Sequence, residues 1–278
     1  MWVSLVVGAA GFGSGLLASV LGIGGTVVTT PIIRALGASP ILAVGSTVPA
    51  ILPGALAGSL RFQREGLILW RVALVCGGSG MVFAVIGGWV ADLVDAKWLM
   101  VLTALLVMWC GIALFRDARR DARRGDARRV DAGRDEVRRD DGVPPRRNAT
   151  TSVEPRGGLP AIVCLGIAGG FLAGLLGIGG GLILTPGFSL GLRLPVKNTI
   201  ATALATVAMT STTALVTHLA LGHIDWRFAL PLMIGIVPGA RLGARITVGA
   251  SEQTMRVASG VMLTVLAAVY LAAELATW

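Results

Sequence analysis

Two glycine clusters, 155 residues apart, are the part of this chain best suited to binding chemistry. Residues 15–31 read GLLASVLGIGGTVVTTP, and residues 170–186 read GFLAGLLGIGGGLILTP. Glycine permits backbone angles that other residues resist, so each apolar helix is predicted to break at its cluster. A helix that restarts after a break directs free N–H groups and the positive end of its dipole toward that break. The chemistry predicted for the two clusters is therefore the binding of a small anion.

Hydroxyl, amide and guanidinium groups follow the clusters and complete the candidate anion site. Hydroxyls and amides donate to an oxyanion without the cost of burying a charge. Arg241 lies in the sequence PGARLGAR, where small neighbours leave room around the guanidinium group. The candidate substrate-binding residues are Gly24, Gly25, Thr26, Thr47, Gly179, Gly180, Gly181, Asn198, Thr202 and Arg241.

Each of these features also has a purely structural interpretation. The glycines could serve close helix packing, the hydroxyls could bond carbonyls of their own helices, and the arginines could extend to the lipid headgroups. His218 and His223 could form a zinc pair or a proton shuttle, although an interfacial position without a ligand role is the plainer interpretation. The glycine cluster occurs twice in the same register, which favours a binding site over packing alone.

The chain carries no standard catalytic or metal-binding motif. HExxH, GxSxG, Walker A and CxxC patterns are all absent from the sequence. The three cysteines, Cys76, Cys110 and Cys164, lie in apolar runs without the spacing of metal ligands. We therefore expect neither an enzyme, nor a cofactor, nor a bound metal.

The elements that position these residues are apolar enough to cross a membrane. Of the 278 residues, 54% are hydrophobic and 14% are charged, whereas soluble domains carry roughly a quarter charged residues. About 20 apolar residues suffice to cross a bilayer. Runs of that length occur at 2–22, 38–60, 67–91, 97–115, 158–177, 195–221, 226–248 and 252–276, and shorter runs at 25–36 and 181–192 follow the glycine clusters. The predicted fold is all-α, with about eight transmembrane helices in two internal repeats, each containing a glycine-broken helix.

The repeat extends beyond the glycine clusters and divides the chain into two halves. Pro40 matches Pro195 at the same offset, and WRVAL at 70–74 matches WRFAL at 226–230 with the offset increased by one. We expect transmembrane repeats at 1–115 and 158–278. Between them, residues 116–157 hold 13 of the 24 basic and 9 of the 15 acidic residues, which predicts a disordered cytoplasmic loop. A nucleic-acid or lipid-headgroup patch is the alternative for this loop, but we expect no nucleic-acid partner despite the net charge of +9.

The relative direction of the two halves depends on how the broken segments are counted. If each half crosses an even number of times, the halves are parallel and both termini join the loop in the cytoplasm. If each broken segment counts as two crossings, the halves are inverted. The first arrangement is slightly favoured, because it also places Arg61, Arg64 and Arg71 in the cytoplasm, as their charge prefers.

The glycine motifs resemble those of a known family. GLLGIGGGLILTP at 174–186, its partner in the first half, and PGARLGAR at 238–245 resemble the TauE/SafE family, also called the 4-toluene sulfonate uptake permease family. The resemblance covers both halves and omits the charged loop. It implies a multi-pass transporter of the bacterial plasma membrane that carries sulfur-containing anions such as sulfite or organosulfonates. The first copy departs from the motif at Thr26, where the second copy has Gly181.

Together these observations predict a secondary transporter of small anions, with export of sulfite or organosulfonates implied by the resemblance. The spans lack deep carboxylates, which argues against a cation pathway. A proton or sodium gradient would supply the driving force, since no nucleotide motif is present. An anion channel of the same fold and a membrane-embedded protein without transport activity are the alternatives. The sequence leaves open whether the chain forms a homo-oligomer.

Overall fold

The computed structural model describes residues 2–94, 98–99, 101–113, 116, 158–255, 257–258, 261–262 and 265. These residues form helices and connecting turns, and no strand occurs among them. The helices are α1 (Trp2–Leu21), α2 (Thr26–Ala35), α3 (Pro40–Arg64), α4 (Trp70–Leu93), α5 (Val101–Ala113), α6 (Gly158–Leu176), α7 (Gly181–Pro186), α8 (Val196–Ala220) and α9 (Trp226–Gly249). A π-helical turn, Gly187–Gly191, extends α7. The all-α prediction is confirmed.

Six of the described helices are long and apolar enough to cross a membrane: α1, α3, α4, α6, α8 and α9. Their outward faces carry large apolar side chains such as Leu74, Val82, Leu230 and Ile234, all more than half exposed. Such a surface suits a lipid environment and not water. The predicted span at 97–115 contains the shorter helix α5. The predicted span at 252–276 and the charged loop at 116–157 lie largely outside the described residues.

Both predicted helix breaks are present, and left-handed glycines make them. Gly22, Gly24 and Gly25 have φ values of +73°, +90° and +82° between α1 and α2. The corresponding glycines before α7, Gly177, Gly179 and Gly180, have φ values of +64°, +75° and +73°. A left-handed residue with a side chain costs about 1–2 kcal/mol, so three within four residues require glycine. Each break therefore follows directly from the local sequence.

Glycines also set the closest helix contacts, which join α1 to α9 and α4 to α6. A Cβ on Gly15 would lie 2.2 Å from the carbonyl oxygen of Ile236, and a Cβ on Gly170 would lie 2.0 Å from that of Gly80. No real Cβ approaches a backbone atom so closely, so only glycine permits these two contacts. Small residues at such positions are the usual means of close packing between membrane helices.

The long central helices α3 and α8 cross each other in opposite directions. The N–H of Asp225, at the start of α9, donates to Ser46 Oγ near the start of α3 at 2.8 Å. At the other end of the bundle, the N–H of Leu69 donates to Thr202 Oγ1 near the start of α8 at 3.1 Å. Each helix therefore begins beside the turn that follows the other. Of the two arrangements left open by the sequence, α3 and α8 fit the inverted one.

The two ends of the bundle differ in charge. We call the end where α3 and α9 terminate the arginine end, because Arg61, Arg64, Arg241 and Arg245 lie there. We call the opposite end the histidine end, because His218 and His223 lie there, where α8 terminates and α9 begins. The helices α1, α3 and α9 run from the histidine end to the arginine end, and α4, α6 and α8 run the other way.

Candidate substrate site

The two glycine breaks meet at the centre of the bundle. A Cβ on Gly179 would lie 2.9 Å from Val207 Cγ1 of α8 and 3.2 Å from Ile51 Cγ2 of α3. A Cβ on Gly24 would meet the same two atoms at 3.4 and 3.6 Å, and the carbonyl oxygen of Ile178 at 3.0 Å. The breaks are thus adjacent, as a shared site requires. The glycines at both breaks are buried, so solvent does not reach the breaks in this conformation.

Gly25 and Gly180 precede the first residues of the short helices α2 and α7 and press against the helices before the breaks. A Cβ on Gly25 would lie 2.5 Å from the carbonyl oxygen of Ser14, and a Cβ on Gly180 would lie 2.2 Å from that of Gly169. The Ser14 hydroxyl donates to the carbonyl of Gly25 and so fixes the first break to its own helix. Gly181 is equally confined, since its Cβ would lie 2.6 Å from the carbonyl oxygen of Gly22.

Threonine hydroxyls satisfy the backbone carbonyls that the breaks expose. Thr185 Oγ1 of α7 donates to the carbonyls of Leu21 and Gly22 at 3.2 and 3.1 Å, across to the opposite break. Thr210 Oγ1 of α8 lies 3.3 Å from the carbonyl oxygen of Gly179 and shares its hydrogen with the carbonyls of Thr206 and Val207 on its own helix. A buried carbonyl without a partner costs about 1–3 kcal/mol, so these bonds stabilise the broken backbone at membrane depth.

Several predicted substrate ligands have hydrogen-bond partners within the protein in this structure. Thr47 Oγ1 donates to the carbonyl of Val44 on its own helix at 2.7 Å. Asn198 Nδ2 donates to the carbonyl of Leu67 at 3.0 Å, and Thr202 accepts from Leu69 as described above. These last two residues hold the turn between α3 and α4. The backbone of Thr26 starts α2, but its side chain lies outside the described residues.

One buried hydroxyl at the second break has no hydrogen-bond partner. Ser211 on α8 is fully buried, and its Oγ would lie 3.4 Å from a Cβ on Gly179. An unpaired buried hydroxyl is costly unless something else binds it. Ser211 could not be predicted as a site residue, because the run TSTT at 210–213 gives no sign of which hydroxyl faces the break.

A cavity of about 270 Å³ opens at the arginine end between α3 and α9. Among the described residues, its lining consists of Ala57, Leu60, Arg61, Arg64, Arg241 and Arg245, with no acidic side chain. Arg61 Nη2 pairs with Glu65 Oε1 at 2.9 Å, but both side chains are more than a third exposed, so the pair contributes little. Arg61 Nε is buried and has no partner. Arg241, the arginine that the sequence singled out, thus lies in a cavity whose charge suits an anion.

The cavity and the breaks share helix α3. Ala57 in the cavity lies six residues beyond Ile51, a rise of about 9 Å along the helix. Among the predicted site residues, the glycines therefore lie together at the centre of the bundle. Arg241 lies closer to the arginine end than the glycines do. Arg71 does not line the cavity.

Among the described residues, no group of three or more histidine, cysteine or acidic side chains is arranged to hold a metal ion. His218 and His223 are in direct contact, with Nδ1 atoms 3.3 Å apart. His223 Nε2 also lies 3.1 Å from Asp92 Oδ1. The two histidines are therefore linked to a carboxylate at the histidine end of the bundle.

Six membrane-length helices around two adjoining helix breaks define a polytopic membrane protein of the transporter class. A family model described as "Sulfite exporter TauE/SafE" matches residues 7–270, and the chain belongs to this family. It is a multi-pass protein of the bacterial plasma membrane and a membrane transporter. The resemblance of the glycine motifs is therefore confirmed.

Curated relatives match the chain over most of its length. YunE of Bacillus subtilis, named a probable membrane transporter protein, is 25% identical over 241 residues, which cover 84% of both chains. MJ0441 of Methanocaldococcus jannaschii, which carries the same designation, is 25% identical over 263 residues, covering 89% of this chain and 87% of the relative. A relative from Xylella fastidiosa is 26% identical over 238 residues, covering 85% and 80%. No solved structure matches the chain.

Proposed function

We propose that this protein is a secondary carrier of small anions and that it exports sulfite or organosulfonates. The cavity at the arginine end is the observation that carries this proposal. Four guanidinium groups line about 270 Å³, and no acidic side chain of the described residues lines it. Guanidinium binds oxyanions such as carboxylate and phosphate through paired hydrogen bonds, and the buried Arg61 Nε has no partner among the described residues.

The carrier is built from two inverted repeats, and matching contacts support this proposal. Adding 155 to a residue number in α1 gives the matching residue of α6, and subtracting 156 from a residue number in α9 gives the matching residue of α4. By this rule the contact of Gly15 with Ile236 corresponds to the contact of Gly170 with Gly80. Two further pairs follow the same rule: Gly243 with Leu16 corresponds to Gly87 with Phe171, and Gly25 with Ser14 corresponds to Gly180 with Gly169. In this proposal α5 and the run at 252–276 complete the count of eight spans.

The arginine end faces the cytoplasm in our proposal. The arginine end has Glu65 and Glu252, together with seven basic residues: Arg61, Arg64, Arg71, Arg193, Lys197, Arg241 and Arg245. The histidine end has Arg34 and Arg227, together with Asp92 and Asp225. Cytoplasmic ends of membrane proteins carry the excess of positive charge, so the chain would begin outside. A basic cavity open to the cytoplasm fits loading from inside and therefore export.

Transport proceeds by alternating access around the two breaks. The arginines draw the anion into the cavity, and rocking of one half against the other separates Ile51 from Val207. The anion then contacts the break backbone and Ser211 before it leaves at the histidine end. Folds with inverted repeats commonly place their substrate between two such broken helices.

Purified protein in liposomes tests the proposal directly. We expect saturable uptake and counterflow of at least one anion from a panel of sulfite, sulfate, thiosulfate and organosulfonates. A conductance that rises linearly with voltage and never saturates would instead indicate an anion channel. Absence of movement for every anion in the panel would contradict the proposed function.

Replacing Arg241 with glutamine should raise the KM for the transported anion about tenfold, because a hydrogen bond to a charged group is worth about 1.5–3 kcal/mol. Arg71→Gln is the matched control, since Arg71 also lies at the arginine end but does not line the cavity. Initial rates of uptake over a range of anion concentrations measure both values. An equal or larger effect of the Arg71 variant would contradict the assignment of the cavity.

Replacing Ser211 with alanine should raise the KM severalfold without lowering the melting temperature. The protein loses no hydrogen bond, because the Ser211 hydroxyl has none, whereas the anion loses a donor at the break. Thr212→Val serves as control: the neighbouring hydroxyl donates to the carbonyl of Ala208 on its own helix at 3.0 Å. Thermal unfolding in detergent and uptake kinetics together decide the point. Unchanged uptake by the Ser211 variant would remove this residue from the site.

A further inference from the structure

We propose that His218, His223 and Asp92 form a proton-binding site that closes the histidine end of the bundle, so that the coupling ion is a proton. This inference rests on the proposed transport function and names its driving ion. The three side chains come from α8, from the turn between α8 and α9, and from α4. They lie at the opposite end of the bundle from the arginine cavity.

Three hydrogen bonds link the group into one chain. His218 Nε2 lies 3.1 Å from the carbonyl oxygen of Gly174 on α6. The Nδ1 atoms of the two rings are 3.3 Å apart, and His223 Nε2 lies 3.1 Å from Asp92 Oδ1. His218 is fully buried, whereas the Asp92 side chain is 54% exposed. The chain therefore leads from solvent to the helix that precedes the second break.

The three contacts of His218, His223 and Asp92 need more hydrogens than two neutral imidazoles carry. A carbonyl only accepts, so His218 Nε2 must carry a hydrogen. The contact between the rings needs a second hydrogen, and the contact with the Asp92 carboxylate needs a third. Two neutral imidazoles supply only two. The third is an added proton, held as an imidazolium at His223 that pairs with Asp92.

Loss of this proton interrupts the hydrogen bonds that link His218, His223 and Asp92. For coupling, the proton that enters from water past Asp92 leaves on the other side of the membrane, from His218 toward the breaks, and two neutral imidazoles and a carboxylate remain. Two hydrogens cannot serve three contacts, so either the two Nδ1 atoms, 3.3 Å apart, or His223 Nε2 and Asp92 Oδ1, 3.1 Å apart, face each other as acceptors, and that contact becomes repulsive. With the proton bound, the same chain ties α4, α6 and α8 together at the histidine end. Proton release therefore favours opening of that end.

The surroundings offer few competing charges. α6 contributes only the Gly174 carbonyl, and α3 packs its Gly45 backbone against His223, where a Cβ would lie 2.0 Å from the His223 carbonyl oxygen. The next carboxylate in the turn, Asp225, accepts from the N–H of Arg227 at 2.9 Å and caps α9. On the described residues, the proton of the chain thus depends on Asp92 alone among the carboxylates that contact it.

Asp92→Asn is the decisive variant, because the asparagine amide can donate a hydrogen to a neutral His223. The amide supplies the third hydrogen permanently, and no added proton is needed. Asp225→Asn is the matched control: it removes a carboxylate from the same turn, and asparagine still caps a helix. We expect the Asp92 variant to lose accumulation driven by a pH gradient and the associated proton movement. The control should keep both.

Histidine NMR tests proton binding without any transported anion. The protein sequence contains only two histidines. ¹⁵N-histidine spectra of the purified protein, free of a polyhistidine tag, therefore report these two rings alone. We expect three bound hydrogens on the acid side of one transition, two on the alkaline side, and two throughout in the Asp92→Asn variant. Two hydrogens throughout in the wild type, or an unchanged transition in the variant, would overturn the proton site.

Flux measurements then separate the two proposals. Thiosulfate serves as the probe if it is transported, because its charge is constant over about pH 5 to about pH 8, where histidine titrates. Counterflow of thiosulfate without any pH-driven accumulation in the wild type would overturn the proton coupling and leave the carrier intact. If no anion of the panel moves while the NMR transition is present, the proposed function fails and the proton site stands.

Discussion

Replacing Gly179 with alanine should lower anion transport at least about tenfold while the protein remains folded in the membrane. The new Cβ would occupy the space between the break, Val207 and Ile51, at 2.9 and 3.2 Å from their side chains. These are side-chain atoms that can shift by a few tenths of an ångström. The left-handed conformation adds about 1–2 kcal/mol of strain. We expect the fold to tolerate this cost, whereas the passage between the breaks loses the room that an anion needs.

Gly66→Ala is the matched control for Gly179→Ala. Gly66 has a φ of +65°, close to the +75° of Gly179, but a Cβ there would meet nothing within 4 Å. The two variants therefore share the backbone strain and differ in what the methyl group meets. Gly180→Ala would be uninformative, since its Cβ would lie 2.2 Å from a backbone carbonyl and would disturb folding. Equal transport by the Gly66 and Gly179 variants in liposomes would contradict a role for the break.

The helix breaks could be predicted from the sequence because their cause is local. Three glycines within four residues favour a left-handed backbone, and all three glycines of each cluster adopt it. The long apolar runs likewise gave the six membrane-length helices, since length and hydropathy are properties of one segment. Burial of the breaks in a common centre was an inference from their repetition, and their contact with the same two side chains agrees with it.

Partners that come from distant segments could not be predicted. Thr202 and Asn198 follow the second glycine cluster, yet they bind the turn between α3 and α4, more than 130 residues away. Nothing near Thr202 in sequence indicates that turn. The same holds for Arg61 and Arg64, which end α3 and look like ordinary positive charges at a span end. Only the packing of α3 against α9 places them beside Arg241.

The sequence slightly favoured parallel halves, and it could not decide their direction for a similar reason. Charge counts treat a broken segment as one crossing or as two, and the sequence of the break is the same in both cases. In the structure α2 turns back after the break, because Gly25 lies beside Ser14, half-way along α1. This reversal makes the broken segment count twice, and α3 and α8 then run in opposite directions.

Replacing Gly15 with alanine should destabilise the protein more than the same replacement at any other glycine of α1. Its Cβ would lie 2.2 Å from the Ile236 carbonyl oxygen and 2.8 Å from the Ala240 nitrogen, and neither backbone atom can move independently of α9. The two helices must separate, and overpacking of this kind costs about 1–3 kcal/mol. Gly13→Ala, two residues away, meets nothing within 4 Å and should be neutral or stabilising, because alanine favours helix by about 1 kcal/mol.

The same comparison in the other half tests whether the two helix pairs are equivalent. Gly170→Ala places a Cβ 2.0 Å from the Gly80 carbonyl oxygen, whereas Gly78→Ala on α4 meets nothing within 4 Å. If the halves are repeats, the Gly170 and Gly15 variants should lose similar melting temperature in detergent, and both controls should retain it. A large loss of melting temperature in only one of these two variants would show that the contact of α1 with α9 and that of α6 with α4 contribute differently to stability. That result would argue against the inverted repeat.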